Sequence, residues 1–154
     1  MTVQIVLGSK SDMKVAEKAV AVLKELGLKY DVTIASAHRT PELVDKLVAE
    51  ADAEVFIAIA GLAAALPGVI AARTMKPVIG VPVSGALNLD AILSVVQMPP
   101  GIPVAGVGLD RGDNAALLAA AIIALKDDKV RKALAAYRQK MKDNIIQDSK
   151  EVAI

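Results

Sequence analysis

The sequence predicts an α/β fold, a three-layer α/β/α sandwich on a doubly wound parallel sheet of about five strands. Short, continuously apolar runs recur at Val3–Leu7, Val55–Ala60 and Val78–Val81. Stretches of helical periodicity separate them. Strands that are apolar throughout and alternate with helices belong to parallel sheets covered on both faces. Of the 154 residues, 55% are hydrophobic and only 2% aromatic, so Ala, Val, Leu and Ile must build the core. The length suits one domain, taken as residues 1–154.

In chain order, Val3–Leu7 reads as the first strand, ending at Gly8. Val15, Ala19, Val22, Leu23 and Leu26 follow at helical spacing, and Gly27 stops that helix. Tyr30 to Ala35 reads as the second strand. Thr40 is placed to cap the next helix with Pro41 at its first position, and Leu43, Val44, Leu47 and Val48 give its expected buried face. Val55–Ala60 is the third strand, followed by Gly61 and a small-residue segment through Ala72. Val78–Val81 and Val104–Val107 are the fourth and fifth, with a helix between them marked by Leu89, Ile92, Leu93 and Val96. Asn114–Leu125 reads as an Ala/Leu helix, and Asp127 or Asp128 caps a last helix over about 128–146. That helix carries a polar, basic face (Lys132, Arg138, Lys140, Lys142) and is expected to pack on a neighbouring subunit.

Composition excludes several classes of function. The 18 basic and 17 acidic residues give a net charge of +1 without a basic stripe, so no nucleic-acid partner is expected. There is no cysteine, which removes disulfides and thiolate chemistry and suits a cytoplasmic protein. No charged start with an apolar run precedes the first strand, so no signal peptide is expected. Gly and Pro interrupt the apolar runs within roughly 15 residues, short of the roughly 20 that span a bilayer. A small domain with this much apolar side chain predicts a homo-oligomer with wide apolar interfaces.

Ligands of open α/β sheets sit beyond the carboxyl ends of the strands. Three segments there are rich in small and polar residues. Gly8-Ser9-Lys10-Ser11-Asp12 can hold phosphate on hydroxyls and helix-start amides, or can be a turn in which Ser11 or Asp12 caps a helix. It lacks the Gly-Lys-Thr ending of a Walker loop. Ser36-Ala37-His38-Arg39-Thr40-Pro41 holds the single histidine of the chain, beside an arginine able to fork onto a phosphate. Ala60–Gly68 is made of small residues that let backbone approach a ligand, or simply let a helix pack closely.

Six motifs stand in order along the chain. They are Gly8-Ser9-x-Ser11-Asp12, Ser36-Ala37-His38-Arg39-Thr40-Pro41, Ala60-Gly61-x-Ala63-Ala64-x-Leu66-Pro67-Gly68 and Pro77-Val78-x-Gly80-Val81-Pro82-Val83. Ser94–Val104 and Asn114–Ala119 complete the set. From Val3 to about Tyr137 the chain resembles the 5-(carboxyamino)imidazole ribonucleotide mutase family, the catalytic subunits of phosphoribosylaminoimidazole carboxylase. The resemblance implies a flavodoxin-like fold, a cytoplasmic homo-octamer, and a purine-biosynthesis isomerase that needs no metal and no organic cofactor. Its small-molecule substrate is an imidazole ribonucleotide, whose carboxylate moves from the exocyclic amine to the ring carbon. By motif position, Ser9, Ser11 and Arg39 would bind the substrate phosphate, Asp12 the ribose hydroxyls, and His38 would be the general acid/base. Gly8, Ser36, Gly61, Ala63 and Leu66 would complete the substrate-binding surface.

The chain departs from the family pattern at Ala65, where relatives usually carry a second histidine, and alanine can neither donate, accept nor carry charge. The loop Ser84–Asn88 is also more apolar and shorter than the pattern. These departures keep open a second reading, a catalytically impaired or engineered variant retained as a self-assembling scaffold. The start and end of the third segment favour the mutase over the relatives that use the aminoimidazole ribonucleotide and carbon dioxide directly.

Overall fold

Each apolar run becomes a strand and each periodic run a helix. The computed structural model describes residues 2–152. The order is β1 (Thr2–Leu7), α1 (Met13–Glu25), β2 (Lys29–Ile34), α2 (Pro41–Glu50), β3 (Val55–Ala60), α3 (Leu66–Ala71), β4 (Val78–Pro82), α4 (Asn88–Val96), β5 (Ala105–Gly106), α5 (Gly112–Ile123) and α6 (Asp128–Glu151). The strands form one sheet in the order β2-β1-β3-β4-β5, every pair parallel. This is the flavodoxin-like arrangement of the doubly wound fold, with its switch point between β1 and β3.

Alternation along the strands divides the core into two layers. Val3, Ile5 and Leu7 of β1 and Ile57 and Ile59 of β3 face α1 and α5, where Ala16, Ala19, Leu23, Ala115 and Ala119 meet them. Val6, Phe56 and Ala58 face the opposite way, onto Val44 and Val48 of α2, Ile70 of α3, and Ala91 and Val95 of α4. Val130, Ala133, Leu134 and Tyr137 extend the first layer into α6.

Several expectations shift. β2 begins and ends one residue earlier than expected and is largely exposed, because it is a sheet edge with a neighbour on one side only. β5 shrinks to two residues; Pro103 just before it has no N–H to give the ladder. Leu43 lies on the exposed side of α2 while Val44 and Val48 are buried. In α4 the stripe that marked the helix points outward: Leu89, Leu93 and Val96 are exposed, and Ala91 and Val95 face the core. The small-residue segment after β3 closes into α3 at Leu66. Asp127 is the cap of α6, accepting from Lys129 N and Val130 N, and that helix runs to Glu151.

Small residues set the closest approaches. At Gly112, the first residue of α5, an added Cβ would lie 2.1 Å from the Val15 carbonyl oxygen of α1. Backbone cannot yield as a flexible side chain does, so only glycine permits this helix pairing. Gly112→Ala is therefore expected to destabilise the fold by about 1–3 kcal/mol through overpacking. The urea midpoint should fall with little change in slope; an unchanged midpoint would show that the two helices can separate freely.

Candidate functional site

The carboxyl ends of β1, β2, β3 and β4 surround a pocket of about 680 Å³, within the range of roughly 300–1,000 Å³ usual for small-molecule sites. Its walls are Gly8, Ser9, Ser11, Asp12, Ser36, Ala37, His38, Arg39, Ala60–Leu66 and Val83–Gly85. The three segments singled out from the sequence thus share one cavity, and each of their candidate residues lines it. The Val83–Gly85 wall and Leu62 are additions. The end of β4 could have been nominated by the strand-end rule that selected the other three.

The first loop departs from β1 at Gly8, whose N–H donates to the Ile59 carbonyl at 3.0 Å. A short 3-10 turn, Lys10–Asp12, follows. Ser9 caps that turn: its Oγ accepts from Ser11 N at 3.3 Å and lies 3.0 Å from Ser11 Oγ. Asp12 stands at the N-cap of α1 yet makes no capping hydrogen bond with its side chain. Helix capping therefore does not account for this carboxylate. It is buried in the pocket wall and receives the Ser11 hydroxyl at 3.2 Å.

The second loop is tied within itself and to the first. Thr40 precedes α2 as expected, but its hydroxyl does not cap the helix; Thr40 Oγ1 accepts from Ser36 N at 2.9 Å. Ser36 Oγ accepts from both Arg39 N and Arg39 Nε at 3.2 Å. Arg39 Nη2 donates to the Gly8 carbonyl at 2.8 Å, which joins the ends of β1 and β2. A guanidinium has five N–H groups, so this anchoring leaves donors for an anion. His38 lies in the turn held between these contacts, exposed at the pocket.

The third loop is tightly wound. Leu62 is left-handed at φ 55°, a region that β-carbons disfavour. Ala64 N donates to the Leu62 carbonyl at 2.9 Å and Ala65 N to the Ala63 carbonyl at 2.6 Å. Those two amides are consumed inside the loop. The N–H groups of Leu62 and Ala63 have no protein acceptor among the described residues. Ala65 lines the pocket, half-buried, immediately before α3.

Burial dominates the electrostatics of Asp12 and pushes its carboxyl up from the ordinary value. Hydrogen bonds from the Ser11 side chain and the Ser9 backbone, and the Arg39 charge, offset part of that rise. The pocket thus holds a carboxylate that is expensive to ionise next to a fixed cation.

Fold and pocket together define a doubly wound α/β protein with a pocket of small-molecule size at its topological switch point. Comparison with known proteins gives the particular family. The family model described as AIR carboxylase matches residues 2–144. The N5-carboxyaminoimidazole ribonucleotide mutase of Methanocaldococcus jannaschii is 60% identical over 149 residues, covering 96% of this chain and 95% of that one. The mutase of Pyrococcus abyssi is 52% identical over 145 residues, 91% of this chain and 83% of the relative. The crystal structure of Treponema denticola PurE superimposes with a TM-score of 0.90 at 34% identity, covering 99% of both chains. The chain belongs to the AIR carboxylase family.

The raised Asp12 carboxyl fixes a sign for stability against pH. The folded state holds this proton more tightly than the unfolded chain, so stability falls as pH rises from the ordinary carboxylate range through the folded value, and the loss persists at neutral pH. Asp12→Asn removes the ionisation while keeping an oxygen that can accept from Ser11. The variant should melt higher than the parent at pH 7, and the gain should vanish below the ordinary carboxylate range. A lower melting temperature at pH 7 would mean that the ionised Asp12 is a net stabiliser.

Proposed function

We propose that the chain is a purine-biosynthesis isomerase, an N5-carboxyaminoimidazole ribonucleotide mutase. The observation that carries this reading is the company of its single histidine. His38 shares one pocket with an anchored guanidinium, a buried carboxylate and a loop with free backbone amides. The named activity of a relative with 60% identity supports the same reading and speaks against a catalytically silent scaffold. A purely nucleotide-binding regulatory module is also disfavoured, since binding alone needs no proton carrier.

The roles are those that the family resemblance implies by motif position, and the chemistry of each side chain suits them. Ser9, Ser11 and Arg39 take the substrate phosphate; Arg39 is pre-oriented by Gly8 and Ser36, so little side-chain freedom is lost on binding. Asp12 accepts from the ribose hydroxyls, which replace the hydration that burial removes. His38 first protonates the carbamate nitrogen as the C–N bond breaks and carbon dioxide leaves. The nucleophilic ring carbon then attacks the trapped carbon dioxide, and His38 takes the proton from that carbon as aromaticity returns. One proton is given and one taken, so a single imidazole suffices. Holding carbon dioxide beside the ring supplies proximity. Gly61, Ala63 and Leu66 form the wall for the carboxylate, with backbone amides as donors. Ala65 leaves His38 as the only imidazole in the pocket.

Assembly into a cytoplasmic homo-oligomer, an octamer by family resemblance, fits the surface. Leu87 and Leu89 are 69% and 64% exposed at α4, and Ile145 is 68% exposed on the far half of α6. Such apolar patches suit subunit contacts, and the outer half of α6 suits a seat on a neighbouring subunit.

Turnover of the carbamate substrate into the ring-carboxylated nucleotide tests the reading. His38→Asn should reduce it by about 10²–10⁴-fold while product affinity, by calorimetry, stays near parental. Ala65→His should raise activity in the parent and not in the His38→Asn background. A His38→Asn variant as active as the parent would remove His38 from the mechanism. Conversion of the aminoimidazole ribonucleotide with carbon dioxide, without use of the carbamate, would instead favour the direct carboxylase.

Assembly is checked separately by sedimentation. A closed oligomer is expected at micromolar concentration, and a stable monomer there would overturn it.

A further inference from the structure

The fourth wall of the pocket is held from outside. After β4 ends at Pro82, the chain lines the cavity as Val83, Ser84 and Gly85. On the β3 side the ladder reaches this exit, where Val83 N donates to the Ala60 carbonyl at 2.9 Å, but on the other side β5 is only two residues long. Support on that side comes from Asp110, on the loop between β5 and α5. Asp110 N donates to the Pro82 carbonyl at 2.9 Å. Asp110 Oδ1 accepts from Ser84 N at 2.9 Å. One residue thus grips the chain on both sides of Val83.

The bracket depends on an uncommon backbone. Asp110 is left-handed at φ 58°, a conformation that Asp and Asn tolerate better than other side-chain-bearing residues. Its own carbonyl accepts from Lys18 Nζ of α1 at 3.1 Å. Asp110 does not line the pocket itself. Val83, however, lies directly against the third loop: a Cβ added at Gly61 would meet the Val83 carbonyl oxygen at 3.4 Å and its Cβ at 3.5 Å. A displaced Val83 would therefore move the loop that carries the free amides.

We propose that Asp110 is a positioning residue for the carboxylate-transfer reaction, bracketing the exit of β4 so that Val83 and Ser84 hold the third loop in register. The inference rests on the mutase reading above.

Three variants of the full chain separate the contributions. Asp110→Gly keeps the left-handed backbone and its N–H but deletes the carboxylate. Asp110→Asn keeps both the backbone preference and an oxygen to accept from Ser84. The Gly variant should lose kcat on the order of 10²-fold, the loss typical of misplacement by about an ångström, with a smaller change in KM and a melting temperature near the parent's. The Asn variant should recover most of that loss. Lys18→Met, which removes the outer contact alone, should leave kcat within a few-fold of the parent. Parental kcat in Asp110→Gly, an Asn variant as impaired as the Gly variant, or a Gly variant that melts far below the parent would each overturn the proposal. An inactive parent sinks the mutase reading instead. Calorimetry with the carboxylated product nucleotide then tests the bracket independently: weaker binding in Gly and recovery in Asn support it, and equal binding in all three overturns it.

Discussion

The position of β1 between β2 and β3 is the constraint on which the molecule depends. β1 pairs in parallel with both neighbours, so the chain must leave β1 toward one side and later return across it to reach the other. Right-handed crossovers then send α1 and α2 to opposite faces of the sheet, as the two core layers record. The loops after β1 and β3 diverge at that point and leave a crevice between them. The pocket exists because the winding reverses there.

Around the crevice, local hydrogen bonds have been diverted from building secondary structure to shaping the cavity. Thr40 gives up helix capping to hold Ser36, and Ser36 in turn orients Arg39. Asp12 stands at a cap position without capping and is buried at an electrostatic penalty. Leu62 adopts a left-handed backbone. Asp12, Ser36, Arg39 and Leu62 line one cavity and Thr40 adjoins it, and stability forgone in such a cluster is what a functional site is expected to show. For the proposed function the consequence is preorganisation: Arg39 is already held by Ser36 and Gly8.

The outer surface follows a different logic. The sheet core is filled by small and medium aliphatic residues around Phe56, and exposed apolar side chains occur on α4 and the far half of α6 as well as at Leu62, Met75 and Leu125. Among the described residues no helix is long and apolar enough to cross a membrane. The outward stripe of Leu89, Leu93 and Val96 is the exposed apolar surface that the proposed assembly would cover.

The sequence by itself determined the layer class, the location of nearly every element and three of the four strand-end segments that line the pocket. These are encoded locally: apolar runs, helical spacing, and small polar residues at strand ends, together with six motifs whose order fixes the family. Its errors fell where neighbours decide. Periodicity found α4 but not which way its stripe faces, because a helix with two apolar sides carries no local signal of orientation. The caps failed at Asp12 and Thr40 because a partner in the same loop, the Ser11 hydroxyl and the Ser36 amide respectively, took the oxygen. The Arg39–Gly8 tie spans 31 residues and the Asp110–Ser84 tie 26. Only the tertiary structure could decide contacts of that kind, since they exist once strand order has brought the loop ends together and no spacing in the chain announces them.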